Sequence, residues 1–167
     1  MTEIIQTDRL TLRPPKREDA ASVARLVGDL TVSRWLTSVP HPYTVQDADD
    51  FIDRQLNESA TTYVVEHDQG VIGCIGSENE LGFWFGAPFW GRGFATEAAR
   101  AVTDRFFQGG GANLTSGYFL GNSRSANVLT KLGFKATKLV DGYVRALGQS
   151  MALQKMNLTF DEWEAVR

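Results

Sequence analysis

The run Trp90-Gly91-Arg92-Gly93-Phe94-Ala95-Thr96-Glu97-Ala98 has residue types and spacing suited to holding an anion. Glycines that turn the chain tightly at a helix start leave backbone N–H groups without carbonyl partners, all directed outward. Such a concavity, backed by the positive end of the helix dipole, suits the oxygens of a pyrophosphate. Gly91, Arg92, Gly93, Phe94, Ala95 and Thr96 are the residues that would supply it. The loop lacks the third glycine of G-x-G-x-x-G, and the phosphate loop G-x-x-x-x-G-K-[ST] is absent, so ATP or GTP hydrolysis has no support. By itself the run also fits an ordinary glycine turn that caps a helix.

A cradle of this kind needs a strand to deliver the loop and a helix to carry it away. Residues 80–85 read as the strand, and 95–108 as the helix, with Ala95, Ala98, Ala99, Val102 and Phe106 on one face. Ahead of them, 7–13 alternates as a first strand stopped by Pro14-Pro15. Residues 17–27 form a helix closed by Gly28, and Thr44-x-x-Asp47 opens another with Ala48, Phe51, Ile52 and Leu56 on one face. Strands at 62–67 and 71–75 make a hairpin through Asp68-Gln69-Gly70. After the Gly109-Gly110-Gly111 stop come a strand at 114–120, a helix at 123–132 ended by Gly133, and strands at 135–141 and 149–158. The order predicts an α+β domain with a mixed sheet, one domain over residues 1–167.

Composition narrows the classes. A formal charge of −3 with scattered Lys and Arg gives no basic field, so nucleic acid is not the expected partner. One cysteine, Cys74, excludes an internal disulfide and fits a buried structural thiol in an apolar run. With only His41 and His67 beside it, no metal site is expected. No apolar stretch approaches the roughly 20 residues of a membrane span, and the start is not a signal peptide, so a cytoplasmic protein is expected.

A second constellation gives the loop its context. Asn122-Ser123-Arg124-Ser125-Ala126-Asn127-Val128-Leu129-Thr130-Lys131-Leu132-Gly133-Phe134 fits N-x-x-S-x-x-x-L-x-x-x-G-F throughout. Together with Thr7-Asp8-Arg9-Leu10-Thr11-Leu12-Arg13-Pro14 and the glycine loop, it resembles the GNAT superfamily of acyl-CoA-dependent N-acetyltransferases. More narrowly it resembles the Rim-type ribosomal-protein acetyltransferases, over about 7–158. The resemblance implies a GNAT acyltransferase fold, its central sheet splayed between two parallel strands and flanked by helices, with acetyl-CoA as co-substrate. Main-chain groups of Trp84 and Phe85 would pair with the pantetheine arm as an added strand does. The amides of residues 92–96 would hold the pyrophosphate, and Asn122 and Asn127 would meet the CoA moiety. The implied acceptor is a primary amine, a peptide N-terminus or a small molecule, and homodimers are frequent in the family. Two departures stand out: Trp90 replaces the usual Gln or Arg of the phosphate motif, and Leu129 stands where many members carry a tyrosine acid.

Amine acetylation needs a proton acceptor, an oxyanion donor and a way to manage the leaving thiolate. Glu80 is the candidate base and otherwise a solvated strand-end carboxylate; Glu78 and His41 are weaker candidates. Ser125, three residues after Asn122, is the candidate acid and otherwise a helix-start hydroxyl, with Tyr118 in reserve. Glu97 reads as a charge favourable to the helix dipole, facing away from the site. Trp35 and Tyr43 are expected to line the acceptor pocket. A non-catalytic acyl-CoA-binding sensor is the rival reading, and a plain nucleotide-binding protein leaves the second motif unexplained.

Overall fold

The computed structural model describes residues 3–58, 61–68, 70–78 and 80–167. Strands β1 (Ile5–Gln6), β2 (Thr11–Arg13), β3 (Thr62–His67), β4 (Gly70–Gly76) and β5 (Gly82–Phe85) pair in that order, all antiparallel. Strands β6 (Asn113–Phe119), β7 (Lys135–Val144) and β8 (Gln149–Thr159) form a second antiparallel sheet, ordered β6-β8-β7. Among the described residues the two sheets meet at one parallel bridge, Glu80 with Thr115. There the Leu81 N–H donates to the Thr115 carbonyl (2.8 Å), and the Ser116 hydroxyl donates to the Leu81 carbonyl (2.7 Å). Beyond that bridge β5 and β6 diverge, so the parallel character expected of the sheet is confined to the point where it splays.

Both faces of the first sheet are covered. Helices α1 (Ala20–Val27) and α3 (Val45–Asn57) pack Val23, Val27, Ala48 and Ile52 against Val64, Val71 and Cys74. On the opposite face α4 (Phe94–Gln108) and α5 (Ser123–Lys131) bury Phe94, Ala98, Val102 and Leu129 against Leu12, Val65, Ile72 and Ile75. A register shift at Val65/Glu66, a β-bulge, puts Val71 and Cys74 on the same side although they are three residues apart.

Several elements differ from the sequence expectation. Two short ones were not expected, β1 and α2 (Leu30–Ser33), and neither carries enough residues for a period to show. A C-terminal helix, α6 (Phe160–Val166), is opened by a Thr159/Glu162 capping box. Its Trp163 stacks on Phe107 at 5.2 Å and donates from Nε1 to Asp104 (2.7 Å). Strand β5 begins at Gly82, helix α4 at Phe94, and β7 runs on to Val144. Gln69 of the predicted hairpin turn lies outside the described residues.

One buried charge pair ties β2 and β3 to the turn before α1. Arg13 meets Asp19 through two bonds (2.9 and 2.8 Å) and Glu66 through a third (2.7 Å), while the Lys16 amide also donates to Asp19 (2.7 Å). Burial opposes ionisation of Asp19, but the bonds from Arg13 and Lys16 outweigh it and hold the carboxyl below its usual range. Asp19→Asn is expected to lower the unfolding free energy by about 3 kcal/mol in urea titrations at neutral pH. Because the folded carboxyl titrates below its unfolded value, its contribution is complete above about pH 4 and is lost as the pH falls through the folded value. The gap between wild type and variant should therefore narrow below about pH 4, and a constant gap would contradict this account.

Candidate active site

The glycine loop forms as the sequence requires. After β5 a short 3-10 turn, Ala87–Phe89, leads to Trp90, whose indole N–H donates to the Phe85 carbonyl (2.7 Å). Gly91 (φ 74°) and Gly93 (φ 81°) hold left-handed backbone, a conformation that costs glycine little. Gly93 is the N-cap of α4, so the amides of Phe94, Ala95 and Thr96 occupy its first turn, where helices leave donors free for an anion.

A cavity of about 410 Å³ opens between β5 and β6 and extends to this loop and to α5. Every cofactor-binding residue expected from the sequence lines it except Arg92. The Arg92 guanidinium lies over the Phe94 ring at 4.7 Å instead, so its part in the loop is through the main chain. The β4–β5 register settles which strand groups face the gap. The Gly86 N–H bonds the Ile72 carbonyl (2.9 Å), so in the alternating ladder Trp84 is bonded to Cys74 and Gly82 to Gly76. The main chains of Phe83 and Phe85 therefore turn toward the gap, as the Leu81 N–H does one step earlier. Trp84 contributes its side chain to the lining but not its peptide groups, which corrects the expected pairing.

Asn122 is buried and caps α5. Its side chain donates to the Ser125 hydroxyl (3.1 Å) and accepts from the Ser125 amide (3.4 Å). With the Ser125 oxygen accepting, its own proton is left to donate. Asn127 and Tyr118 also line the cavity, while Leu129 is fully buried in the core. Arg124 lies over the Trp90 ring at 3.6 Å, a contact joining α5 to the glycine loop that no local pattern signalled.

A second cavity, about 780 Å³, lies on the other side of β5. The two share Leu36, Thr37, Glu80, Gly82, Phe83 and Trp84 as lining. Glu80 thus stands where they meet, its carboxylate held by Lys155 Nζ (2.6 Å). Glu78 and Tyr43 line the second cavity; burial, with Asp47 adding to it, pushes the Tyr43 phenol up to about 12. Trp35, expected beside Tyr43, lines the first cavity instead, and exposed His41 lines neither. Cys74 is buried and burial pushes its thiol up to about 12, which keeps it protonated and unreactive. Among the described residues no group of three or more His, Cys, Asp or Glu is placed to hold a metal ion, and no helix is long and apolar enough to cross a membrane.

Glu97 does face away from the cavity, but it is more than a dipole charge. It accepts from the Thr7 hydroxyl (2.6 Å), the Arg9 amide (2.9 Å) and Arg9 Nε (2.7 Å). Burial pushes its carboxyl up, and these bonds more than offset that and hold it below its usual range.

Comparison with known proteins agrees with this architecture. Residues 9–135 match the acetyltransferase (GNAT) domain family. The uncharacterized N-acetyltransferase p20 of Bacillus licheniformis is 29% identical over 176 residues, covering 96% of this chain and 98% of the relative. A GNAT-family acetyltransferase from Bacillus anthracis superposes with a TM-score of 0.83 at 18% identity, over 95% of this chain and 99% of its own. The ribosomal-protein-S5-alanine acetyltransferase of Vibrio fischeri gives a TM-score of 0.82 at 18% identity, over 96% and 98% of the two chains. RimL, the ribosomal L7/L12 alpha-N-protein acetyltransferase, solved with coenzyme A, gives 0.82 at 15% identity over 96% and 99%. With a family match spanning most of its length and a cavity built as the fold demands, this chain is a member of the GNAT acetyltransferase family.

Proposed function

We propose that the protein moves the acetyl group of acetyl-CoA directly to a primary amine, with no covalent enzyme intermediate. The observation that carries this reading is the meeting of two cavities at β5. One has an anion cradle at its end and an unzipped strand edge along its side; the other approaches the same point from the opposite face. A thioester and an amine can thus reach one place from two directions.

The residues present fit the co-substrate. The first-turn amides of α4 and the left-handed glycines suit a pyrophosphate, and the gap-facing peptide groups of Phe83 and Phe85 suit an extended chain of amides. Bound acetyl-CoA would supply an activated acyl group. In this reading the Phe85 N–H donates to the developing oxyanion. Glu80, at the junction, takes the amine proton directly or through water. Ser125, its oxygen already bonded by Asn122, donates its proton toward the departing sulfur, the task a tyrosine at position 129 would otherwise perform. Asn127 borders the CoA moiety. The ribosomal-protein acceptors named for the Vibrio fischeri and RimL enzymes favour a protein N-terminus over a small amine.

The direct test is free-thiol release from acetyl-CoA against Ala-, Ser- and Met-starting peptides, polyamines, amino acids and aminoglycosides. Release with one class establishes the reaction and its acceptor type; tight acetyl-CoA binding without transfer to any of them favours the sensor reading. For an α-amino acceptor, kcat/KM should rise with pH toward about 8, the pKa of such a group, whereas a lysine-like amine would keep rising toward about 10.4. Ser125→Ala is expected to lower kcat about tenfold to a hundredfold with acetyl-CoA affinity intact, and unchanged turnover removes it from the mechanism. Glu80→Gln should lower kcat/KM for the amine about a hundredfold while calorimetric binding of acetyl-CoA is retained.

A further inference from the structure

Gly91, Arg92 and Gly93 are exposed, and both glycines hold left-handed backbone. Glycine loses more conformational freedom on ordering than any other residue, so an anion cradle built on such a loop binds weakly unless the loop is already held. Buried Phe94 anchors its C-terminal end. A further restraint comes from the turn before β2. There the Thr7 N–H bonds the Leu10 carbonyl (2.9 Å) and the Leu10 N–H bonds the Thr7 hydroxyl oxygen (3.0 Å).

From this turn Arg9 reaches across to the loop. Its Nη1 donates to the Arg92 carbonyl (2.9 Å), its Nε donates to Glu97 (2.7 Å), and its guanidinium lies over the Phe94 ring at 4.5 Å. Glu97 also takes the Arg9 amide and the Thr7 hydroxyl, so turn, loop and first helical turn close into one hydrogen-bonded ring. Arg9 lies outside the cavity lining, and Glu97 matches its charge. Its effect passes through the Arg92 carbonyl.

We infer that Arg9 is a positioning residue for the cofactor loop: with Thr7 and Glu97 it clamps the Arg92 peptide, so that the loop amides stand in their anion-holding arrangement before any ligand arrives. This rests on the acetyl-CoA reading for the identity of the anion, and on the geometry alone for the clamp.

Arg9→Lys keeps the charge and the stem but replaces a planar fork with a point ammonium, which cannot serve Glu97 and the Arg92 carbonyl in the same geometry. Glu97→Gln keeps the size and removes the charge. Amide hydrogen exchange of the unliganded full chain, acetyl-CoA binding by calorimetry and steady-state kinetics are compared with wild type. In both variants exchange of the Glu97 amide, which donates to the Gly93 carbonyl, and of the helical turn after it should rise about tenfold with the rest of the chain unchanged. Kd and KM for acetyl-CoA should rise about tenfold while kcat at saturation stays within about twofold, the mark of lost uniform binding. Wild-type exchange at this helix start in Arg9→Lys overturns the inference. So does an unchanged Kd in a variant with a loosened loop. Faster exchange throughout the chain with a lowered Tm also overturns it, since that marks a staple of the whole fold. A wild type that binds no acetyl-CoA removes the proposed transfer, and the exchange comparison still decides whether the clamp exists.

Discussion

Among the described residues the two sheets share a single parallel bridge, Glu80 just ahead of β5 with Thr115 of β6, and then part. A parallel ladder continued past that point would have consumed the peptide groups of both strands in the sheet. Because it stops, the main chains of Phe83 and Phe85 turn to a cavity instead of to another strand, with the Phe85 carbonyl taken by the Trp90 indole. Divergence of two sheets is stable here because each is complete on its own. The first sheet is filled from both faces by α1 and α3 and by α4 and α5, and the second is paired through the long β8. The gap thus accompanies packing that is completed elsewhere.

What stands at the bridge follows from the same divergence. Glu80 lies where the ladder ends, so its carboxylate reaches both cavities, and Lys155 on β8 holds it from the other sheet. Ser125 and Asn122 lie at the start of α5, just past the end of β6, where widening of the gap brings the helix start against the cavity. The two groups proposed for proton transfer thus line one cavity, Glu80 at the bridge and Ser125 beyond the end of β6.

Much of this was legible in the sequence wherever the signal was local. The glycine loop, the Asn122 to Phe134 motif and the Thr44/Asp47 capping box each fit within one or two turns of chain, and each forms as read. Relations that depend on register or distance were not legible. Whether Trp84 or Phe83 turns its peptide to the gap depends on one bond, from Gly86 to Ile72, which no composition encodes. Glu97 looks like an isolated helix-start charge because its partners, Thr7 and Arg9, lie some 90 residues away. Arg124 over Trp90 and Trp163 on Phe107 are tertiary contacts of the same kind. Helix α6 is only seven residues long, and its capping box rather than its periodicity marks it.

The bond from the Trp90 indole to the Phe85 carbonyl bears on which chains could add to the β5 edge. An exposed row of peptide donors and acceptors is a template on which another chain can add a strand and begin to aggregate. Here β5 is four residues long, its last carbonyl is already capped by the indole, and its partner strand angles away. A foreign strand would find too short a run to pair with, whereas a slender chain carrying few amides would find enough. The Trp90 indole thus leaves one acceptor fewer at the end of this edge.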